Sequence, residues 1–208
     1  MHSQYYEPAR KLLTMLADLE EDLKKNYKST DISERALANI AGLQCDLFST
    51  YTLLLSDEVE GPIITKSVIL RTILENQGCI LHIKDKPDRA KSYLDYTKKI
   101  HIQVKNSVEN KKTDDNDLKW SDSNIEQRIK LIDTSATRLY DMLSNFTHGN
   151  NVVDFLNSKE LTDGYIKAID SYFISLFIGF MSELAIGLNI DDKKRHQIFD
   201  VIDEAAKS

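Results

Sequence analysis

Apolar residues recur every three to four positions along most of the chain, which is the spacing of one face of an α-helix. Polar clusters and two Pro steps, Gly61-Pro62 and Lys86-Pro87, interrupt this pattern. The uninterrupted stretches predict helices over about 8–27, 31–57, 63–84, 88–109, 123–147 and 162–188, followed by a short amphipathic helix. We therefore predict an all-α fold, a single helical bundle of about six to seven helices.

The connections are too short to separate two domains, so residues 1–208 are predicted to form one helical domain. Its parts are an N-terminal helix within 1–30, a bundle body over 31–190 and a short C-terminal helix within 191–208. The segment 111–122 has hardly any apolar content and predicts a mobile loop, with Trp120 attaching it to the body. A Ser-x-x-Glu capping box, Ser123 to Glu126, predicts the start of the next helix.

The most apolar stretch is Tyr172–Ile190, nineteen residues that approach the roughly 20 needed to span a bilayer. Glu183 lies near its middle, and a charge at membrane depth is costly, which favours the central core helix of a soluble bundle. The first residues contain no apolar signal-peptide region. The sequence thus predicts a cytoplasmic protein that does not enter a membrane.

Composition narrows the function classes further. Seven glycines and three prolines are too few for a β-sandwich or a Gly-rich nucleotide fold, and the net charge of −6 disfavours a generally basic coat protein. The two cysteines, Cys45 and Cys79, form no CxxC pair. The sequence also contains no HExxH, P-loop, GxGxxG or GxSxG motif, and no Glu-x-x-His pair of a di-metal bundle. We therefore predict neither a metal nor a cofactor.

One polar stripe interrupts the apolar third predicted helix. Arg71, Glu75, Gly78 and His82 fall at i, i+4, i+7 and i+11, which places them on one side of the helix. Since apolar residues surround them, the Arg and the Glu are expected to be at least partly buried and paired. Two interpretations remain open: a self-satisfied Arg71–Glu75 ion pair, or a polar pocket with His82 at its mouth.

A second stripe lies on the fifth predicted helix, where Tyr140, Ser144 and His148 are four residues apart and border its apolar face. His148 is at the C-terminal end, where the helix macrodipole favours a positive charge. It is either a donor to a phosphate or a helix-capping histidine, with Gly149 ending the helix.

A third feature is electrostatic. Between Lys84 and Lys112 there are nine lysines and arginines against four acids, with tyrosines interleaved. Such a helix predicts contact with a phosphate backbone and stacking of single-stranded bases on the tyrosines, although a solvated helix face is the alternative. The candidate nucleic-acid-binding residues are Lys91, Tyr93, Tyr96, Lys98, Lys99 and Lys105.

Two strings, Arg71-Thr-Ile-Leu-Glu75 and Leu143-Ser-Asn-Phe-Thr-His-Gly149, resemble a bacterial family of all-α domains of unknown function related to the HEPN superfamily. The resemblance spans about residues 35–190. It implies a helical bundle, commonly a homodimer, and many HEPN proteins are metal-independent ribonucleases in toxin–antitoxin and other defence systems. The family's motif is an Arg, a polar residue and a His near one helix end. Only His148 matches it, since Asp141, Met142 and Leu143 stand where the Arg belongs, so Arg71 is expected to replace that Arg across the bundle.

We thus expect a HEPN-like bundle that binds RNA or a nucleotide. In a ribonuclease, His148 would act as general acid/base or phosphate ligand and Arg71 would stabilise the phosphorane charge. Glu75 would orient Arg71, while Tyr140 and Ser144 would donate hydrogen bonds. The alternative is a non-enzymatic, dimerising protein-interaction module, antitoxin-like or a scaffold, in which the same residues form a structural network. The last two helices offer more apolar surface than one small bundle readily covers, which predicts a homodimer.

Overall fold

The computed structural model describes residues 3–56, 63–109, 120, 124–148 and 157–207. Within these residues the protein is all-α, with nine helices and no strand, which confirms the predicted fold class. The helices are α1 (Tyr6–Asp18), α2 (Glu20–Asn26), α3 (Ile32–Leu54), α4 (Ile63–Ile83), α5 (Pro87–Val108), α6 (Ile125–Ile129), α7 (Thr134–Thr147), α8 (Lys159–Gly187) and α9 (Asp192–Ala206).

The helix count is higher than predicted because two of the predicted helices are split. The first is interrupted at Leu19, whose N–H bonds back to the carbonyl of Leu16 and closes α1 with a tighter turn. The fifth is interrupted at Asp133, whose carboxylate accepts the N–H groups of Ser135 at 2.6 Å and Ala136 at 2.8 Å. This carboxylate caps α7 inside a stretch whose apolar spacing is continuous, so periodicity alone does not detect the break.

The capping box before α6 lies one residue later than predicted. Asn124, and not Ser123, is the cap: its side chain accepts the N–H of Gln127 at 2.8 Å, and the Gln127 side chain accepts the N–H of Asn124 at 3.2 Å. Ser123 itself, the end signal at Gly149 and the predicted mobile loop 111–122, apart from Trp120, lie outside the described residues.

The core is centred on α8. Phe173, Phe177 and Phe180 are fully buried, and the Phe177 ring stacks on Phe48 of α3 with 4.0 Å between centroids. By length and composition α8 could cross a bilayer. In this structure, however, its aromatic side is packed inside the bundle, and Glu183 forms an ion pair with Lys84 at 2.8 Å.

The same packing removes one argument for a dimer. The apolar residues of α8 that suggested a surplus face are buried or half-buried within a single chain; they include Phe173, Ile174, Phe177, Ile178, Phe180, Met181, Leu184 and, beyond the helix, Leu188. The homodimer stays a prediction that rests on the family resemblance alone.

Candidate functional site

Helix α4 positions most of the candidate residues, because α3, α5, α6, α7 and α8 all contact it. The predicted stripe on α4 is the line along which α6 and α7 lie. At its centre, a Cβ on Gly78 would be 3.0 Å from the backbone carbonyl of Arg128, so the glycine permits the close approach of α6. The stripe Arg71–Glu75–Gly78–His82 is therefore a line of helix packing, which we call the α4 seam.

At the N-terminal end of this seam, Arg71 forms the centre of a polar network. Its Nε donates to Glu75 Oε1 at 3.2 Å, its Nη1 to Thr147 Oγ1 at 2.9 Å and its Nη2 to Tyr140 Oη at 3.1 Å. The Tyr140 hydroxyl in turn donates to Glu75 Oε1 at 3.0 Å. Three side chains from α4 and α7 thus hold the guanidinium in position, and we call these three residues and Arg71 the Arg71 network.

The Arg71 network is open to solvent on one side. The Arg71 and Glu75 side chains are 25% and 28% exposed. Partial burial lowers the pKa of Arg71, but its contacts with Tyr140 and Glu75 outweigh this effect and raise it. Burial also raises the pKa of Tyr140. At neutral pH the site therefore presents a protonated guanidinium and a neutral phenol.

The α7 side of the network differs from the predicted Tyr140–Ser144–His148 stripe. Thr147, seven residues after Tyr140, faces Arg71, and its hydroxyl also donates to the Ser144 carbonyl at 2.9 Å. The Ser144 hydroxyl is buried and has no hydrogen-bond partner among the described residues, so it does not orient His148. His148 is exposed and caps α7 with its N–H on the Ser144 carbonyl. Helical spacing places Thr147 on the same face as Tyr140, but Ser144 shares that face, so the spacing alone does not distinguish the two hydroxyls.

His82 is not at the mouth of this pocket. It is 5% exposed, its ring packs edge-on against Trp120, and its Nδ1 lies 3.3 Å from Arg89 Nη1. Eleven residues of helix separate it from Arg71, about 16 Å along the axis. The predicted stripe therefore leads to two different environments, one at each end.

The structure exposes the lysines of the predicted nucleic-acid interface on α5 but not its tyrosine rings. Lys91, Lys98, Lys99 and Lys105 are exposed as expected. Tyr93, however, is only 6% exposed and donates to Asn39 Oδ1 at 3.3 Å, while Tyr96 stacks on Trp120. The two tyrosines pack against Trp120 because an amphipathic helix turns its aromatic residues towards the bundle, so their rings are not open to incoming bases.

A second network of polar side chains, which was not predicted from the sequence, is buried in the core. Asp170 of α8 accepts hydrogen bonds from Lys66 Nζ at 2.9 and 3.0 Å and from Tyr51 Oη at 2.9 Å. We call these three residues the Asp170 network. The position of Asp170 among Ile166, Ile169 and Phe173 could have revealed it, since that spacing puts a carboxylate on the apolar face of the helix.

Burial dominates the electrostatics of the Asp170 network. It raises the pKa of Asp170, an effect that Lys66 opposes, and together with the nearby carboxylate it raises the pKa of Tyr51 well above the ordinary tyrosine value. The Lys66 and Asp170 side chains are only 7% and 3% exposed, so we assign the network to holding α3, α4 and α8 together.

The described residues contain no group of three or more His, Cys, Asp and Glu side chains that could hold a metal ion. Both cysteines are free, and burial raises the pKa of each thiol to about 11, which keeps the thiols protonated at neutral pH.

The fold and the Arg71 network define an all-α bundle with one partly open polar site. Among known proteins, no family model, no curated protein and no solved structure matches this chain. The function has to be argued from the geometry.

Proposed function

We propose that the protein is a HEPN-like, cytoplasmic helical bundle that binds RNA or a nucleotide at the Arg71 network. The observation that carries this proposal is a guanidinium held in place by Glu75, Tyr140 and Thr147 while a quarter of its side chain faces solvent. A positioned Arg suits a phosphate because it loses little freedom on binding, and its planar fork matches the phosphate oxygens.

Two neighbouring groups complete the phosphate site. The Thr147 hydroxyl lies 2.9 Å from Arg71 Nη1, and exposed His148 follows Thr147 directly in the chain. The imidazole therefore belongs to the residue that follows an Arg71 contact, at the C-terminal end of α7. In the proposed arrangement Glu75, Tyr140 and Thr147 are positioning residues, and Arg71 and His148 contact the ligand.

The finer form of the proposal is a metal-independent ribonuclease. The 2′-hydroxyl of the substrate attacks the adjacent phosphorus, the bond to the 5′-oxygen breaks, and the products are a 2′,3′-cyclic phosphate and a 5′-hydroxyl. His148 accepts the 2′ proton while water protonates the leaving 5′-oxygen, or His148 protonates that oxygen while water accepts the 2′ proton, and Arg71 stabilises the charge on the phosphorane.

The test uses the purified chain and a fluorescent single-stranded RNA in EDTA, with anisotropy for binding and gel analysis for cleavage. We expect His148→Ala to lower the affinity for RNA, because the variant loses one contact to a phosphate. Cleavage by the wild type that His148→Ala abolishes would support the ribonuclease form.

Two matched variants serve as controls. His196→Ala removes another exposed histidine, on α9, and Arg138→Ala removes an exposed arginine from α7 itself. Neither contacts the Arg71 network, so both should bind RNA like the wild type. Wild-type protein that does not bind RNA, or an RNA affinity of His148→Ala equal to that of His196→Ala, would contradict the proposal.

A second candidate is the non-enzymatic, dimerising interaction module. The observation that favours it is that Arg71 donates three hydrogen bonds to protein groups, which a purely structural network also requires. Tyr140→Phe separates the two functions. If the network is only structural, this variant lowers the melting temperature, and its RNA affinity equals that of the wild type even when both are weak.

A further inference from the structure

A cleft that the proposed function does not use lies where α1, α2 and α3 meet. Its volume is about 430 Å³, which is within the range of sites that hold small molecules. Apolar side chains of α1 and α2 line it, and Cys45 of α3 lines it with them; the apolar residues are Leu13, Leu16, Ala17 and Leu23. An apolar ligand body would therefore be covered on several sides.

The charged side chains of the cleft give it a negative charge. Glu20, Lys24 and Asp46 line it, so two carboxylates stand against one ammonium group. Lys24 is already neutralised, because its Nζ lies 2.8 Å from Glu20 Oε1 and 3.1 Å from Glu21 Oε1. Asp46 is exposed and forms no ion pair with any described residue. The cleft thus contains a carboxylate that lacks a counter-ion.

The negative charge extends to the thiol inside the cleft. Burial raises the pKa of Cys45 to about 11, and the carboxylates of Asp46 and Glu20 add to this rise. They do so because another negative charge beside them is unfavourable. An environment that opposes a thiolate in this way favours a cation at the same place.

An aromatic ring also borders the cleft. Tyr27, the residue that ends α2, lines it and is 41% exposed. A Cβ on Gly42 would collide with the Tyr27 hydroxyl, so this glycine lets the phenol lie directly against α3. The face of a tyrosine ring attracts an ammonium ion, and more strongly where water is partly excluded.

We propose that this cleft binds an organic ammonium ion with an apolar body, such as an arylalkyl amine. The apolar body packs on the leucines of α1 and α2, and the ammonium group lies at Asp46 and the Tyr27 ring. The carboxylates of the cleft repel an acid or a phosphate, and a polyamine leaves the leucines uncovered. The cleft shares no residue with the Arg71 network, so this proposal does not rest on the proposed function.

The first experiment uses the unmodified protein, with Cys45 as the reporter. Dithiodipyridine forms a mixed disulfide with an accessible thiol and does not react with amines, and peptide mass spectrometry follows each cysteine separately. We expect phenylbutylamine to slow the reaction of Cys45 in a saturable way, because the bound ligand covers the thiol. Cys79 lies on α4, outside the cleft, and should react at an unchanged rate. An unchanged Cys45 rate at millimolar amine, or equal slowing at both cysteines, overturns the proposal.

Matched ligands test the charge of the occupant. Phenylbutanol and phenylbutyrate have the same apolar body, with a neutral or a negative group in place of the ammonium. The dissociation constant of each ligand is obtained from the concentration dependence of the Cys45 reaction. We expect the amine to bind more tightly than the alcohol, and the acid to bind least tightly. An alcohol or an acid that binds as tightly as the amine overturns the proposal.

A charge variant tests the assigned role of Asp46. Asp46→Asn should weaken binding of the amine by about twofold to fivefold, the scale of one exposed ion pair, and leave binding of the alcohol unchanged. Asp163→Asn removes an exposed carboxylate from α8 and should bind both ligands like the wild type. An Asp46→Asn variant that keeps the wild-type preference for the amine overturns the proposal.

A second variant tests the location without using the thiol. Ala17→Phe should fill the cleft and abolish binding of the amine, whereas Ala168→Phe, at an exposed position of α8, should not affect it. Saturation-transfer NMR on the ligand measures both, since the new ring at position 17 would also cover Cys45. Binding to Ala17→Phe that equals binding to Ala168→Phe overturns the proposal.

Discussion

Two polar networks share α4 and differ in their access to water. Lys66 forms a 2.9 Å ion pair with Asp170, and the two side chains are 7% and 3% exposed. Arg71, five residues later, forms a 3.2 Å ion pair with Glu75, and those side chains are 25% and 28% exposed. Each network includes a tyrosine hydroxyl, Tyr51 in one and Tyr140 in the other.

The difference in burial separates a structural role for one network from the binding role proposed for the other. A charge in the closed core has no substitute for its partner, so losing that partner leaves an unsolvated ion. A half-exposed charge can exchange a protein contact for water or for a ligand. The Asp170 network is therefore expected to control stability, and the Arg71 network to tolerate substitution and respond to ligands.

The largest effect is expected for Lys66→Met, because this variant leaves the Asp170 carboxylate in the core with Tyr51 as its remaining partner. We expect a loss of about 3–5 kcal/mol in the free energy of unfolding, measured by urea denaturation. The double variant Lys66→Met/Asp170→Leu removes both charges and should recover most of that loss. A single variant with a loss below about 1 kcal/mol would show that water reaches Asp170.

Arg71→Ala should cost less, about 2 kcal/mol, which is the scale of hydrogen bonds to a charged group. A fully buried Arg71 would cost as much as Lys66. The exposure of Glu75 and its remaining bond from Tyr140 reduce the penalty. Urea denaturation beside Arg138→Ala tests this, and a loss equal to that of Lys66→Met would mean that the site is closed to solvent.

Alkaline pH should distinguish the two tyrosines. Above about pH 10 an unfolded tyrosine loses its proton, while Tyr51, whose pKa is raised well above that value, keeps it in the folded state. Its contribution to stability is therefore complete below pH 10 and falls by about 1.4 kcal/mol per pH unit until the raised pKa is reached.

Tyr51→Phe should remove this one contribution to the pH dependence, which urea denaturation measures from pH 9 to 11, while other tyrosines whose pKa is raised keep theirs. Tyr140→Phe is the matched control. The pKa of Tyr140 is also raised, but by a smaller amount, so the contribution of Tyr140 to the pH dependence should end at a lower pH. Identical pH profiles for the two variants would contradict the assigned difference in burial.

The smallest effect on stability is expected for His148→Ala. The imidazole is exposed at the end of α7, and its backbone N–H still bonds to the Ser144 carbonyl. The melting temperature should stay within about one degree of the wild type. A drop of several degrees in a thermal scan would instead assign His148 a structural role.

Part of the candidate site follows from sequence spacing. The i, i+4 rule pairs Arg71 with Glu75, and Tyr140 faces α4 as its position beside the apolar face indicates. Thr147 and Ser144 lie on the same face of α7, yet the rule does not decide which of the two hydroxyls meets Arg71. That depends on the crossing of α7 over α4, which the close approach at Gly78 helps to define.

The helical fold class and most helix ends were determined by the sequence itself, because apolar spacing and capping side chains act within one turn of the chain. Which polar residues become core and which become surface was decided only by the tertiary structure. Asp170 is buried because α3 and α4 supply Tyr51 and Lys66, and Tyr93 and Tyr96 are occupied because Trp120 reaches them from another part of the chain. These partners are 24 to 119 residues apart, a separation at which no local pattern specifies contact, so burial and its electrostatic consequences appear only when the helices pack.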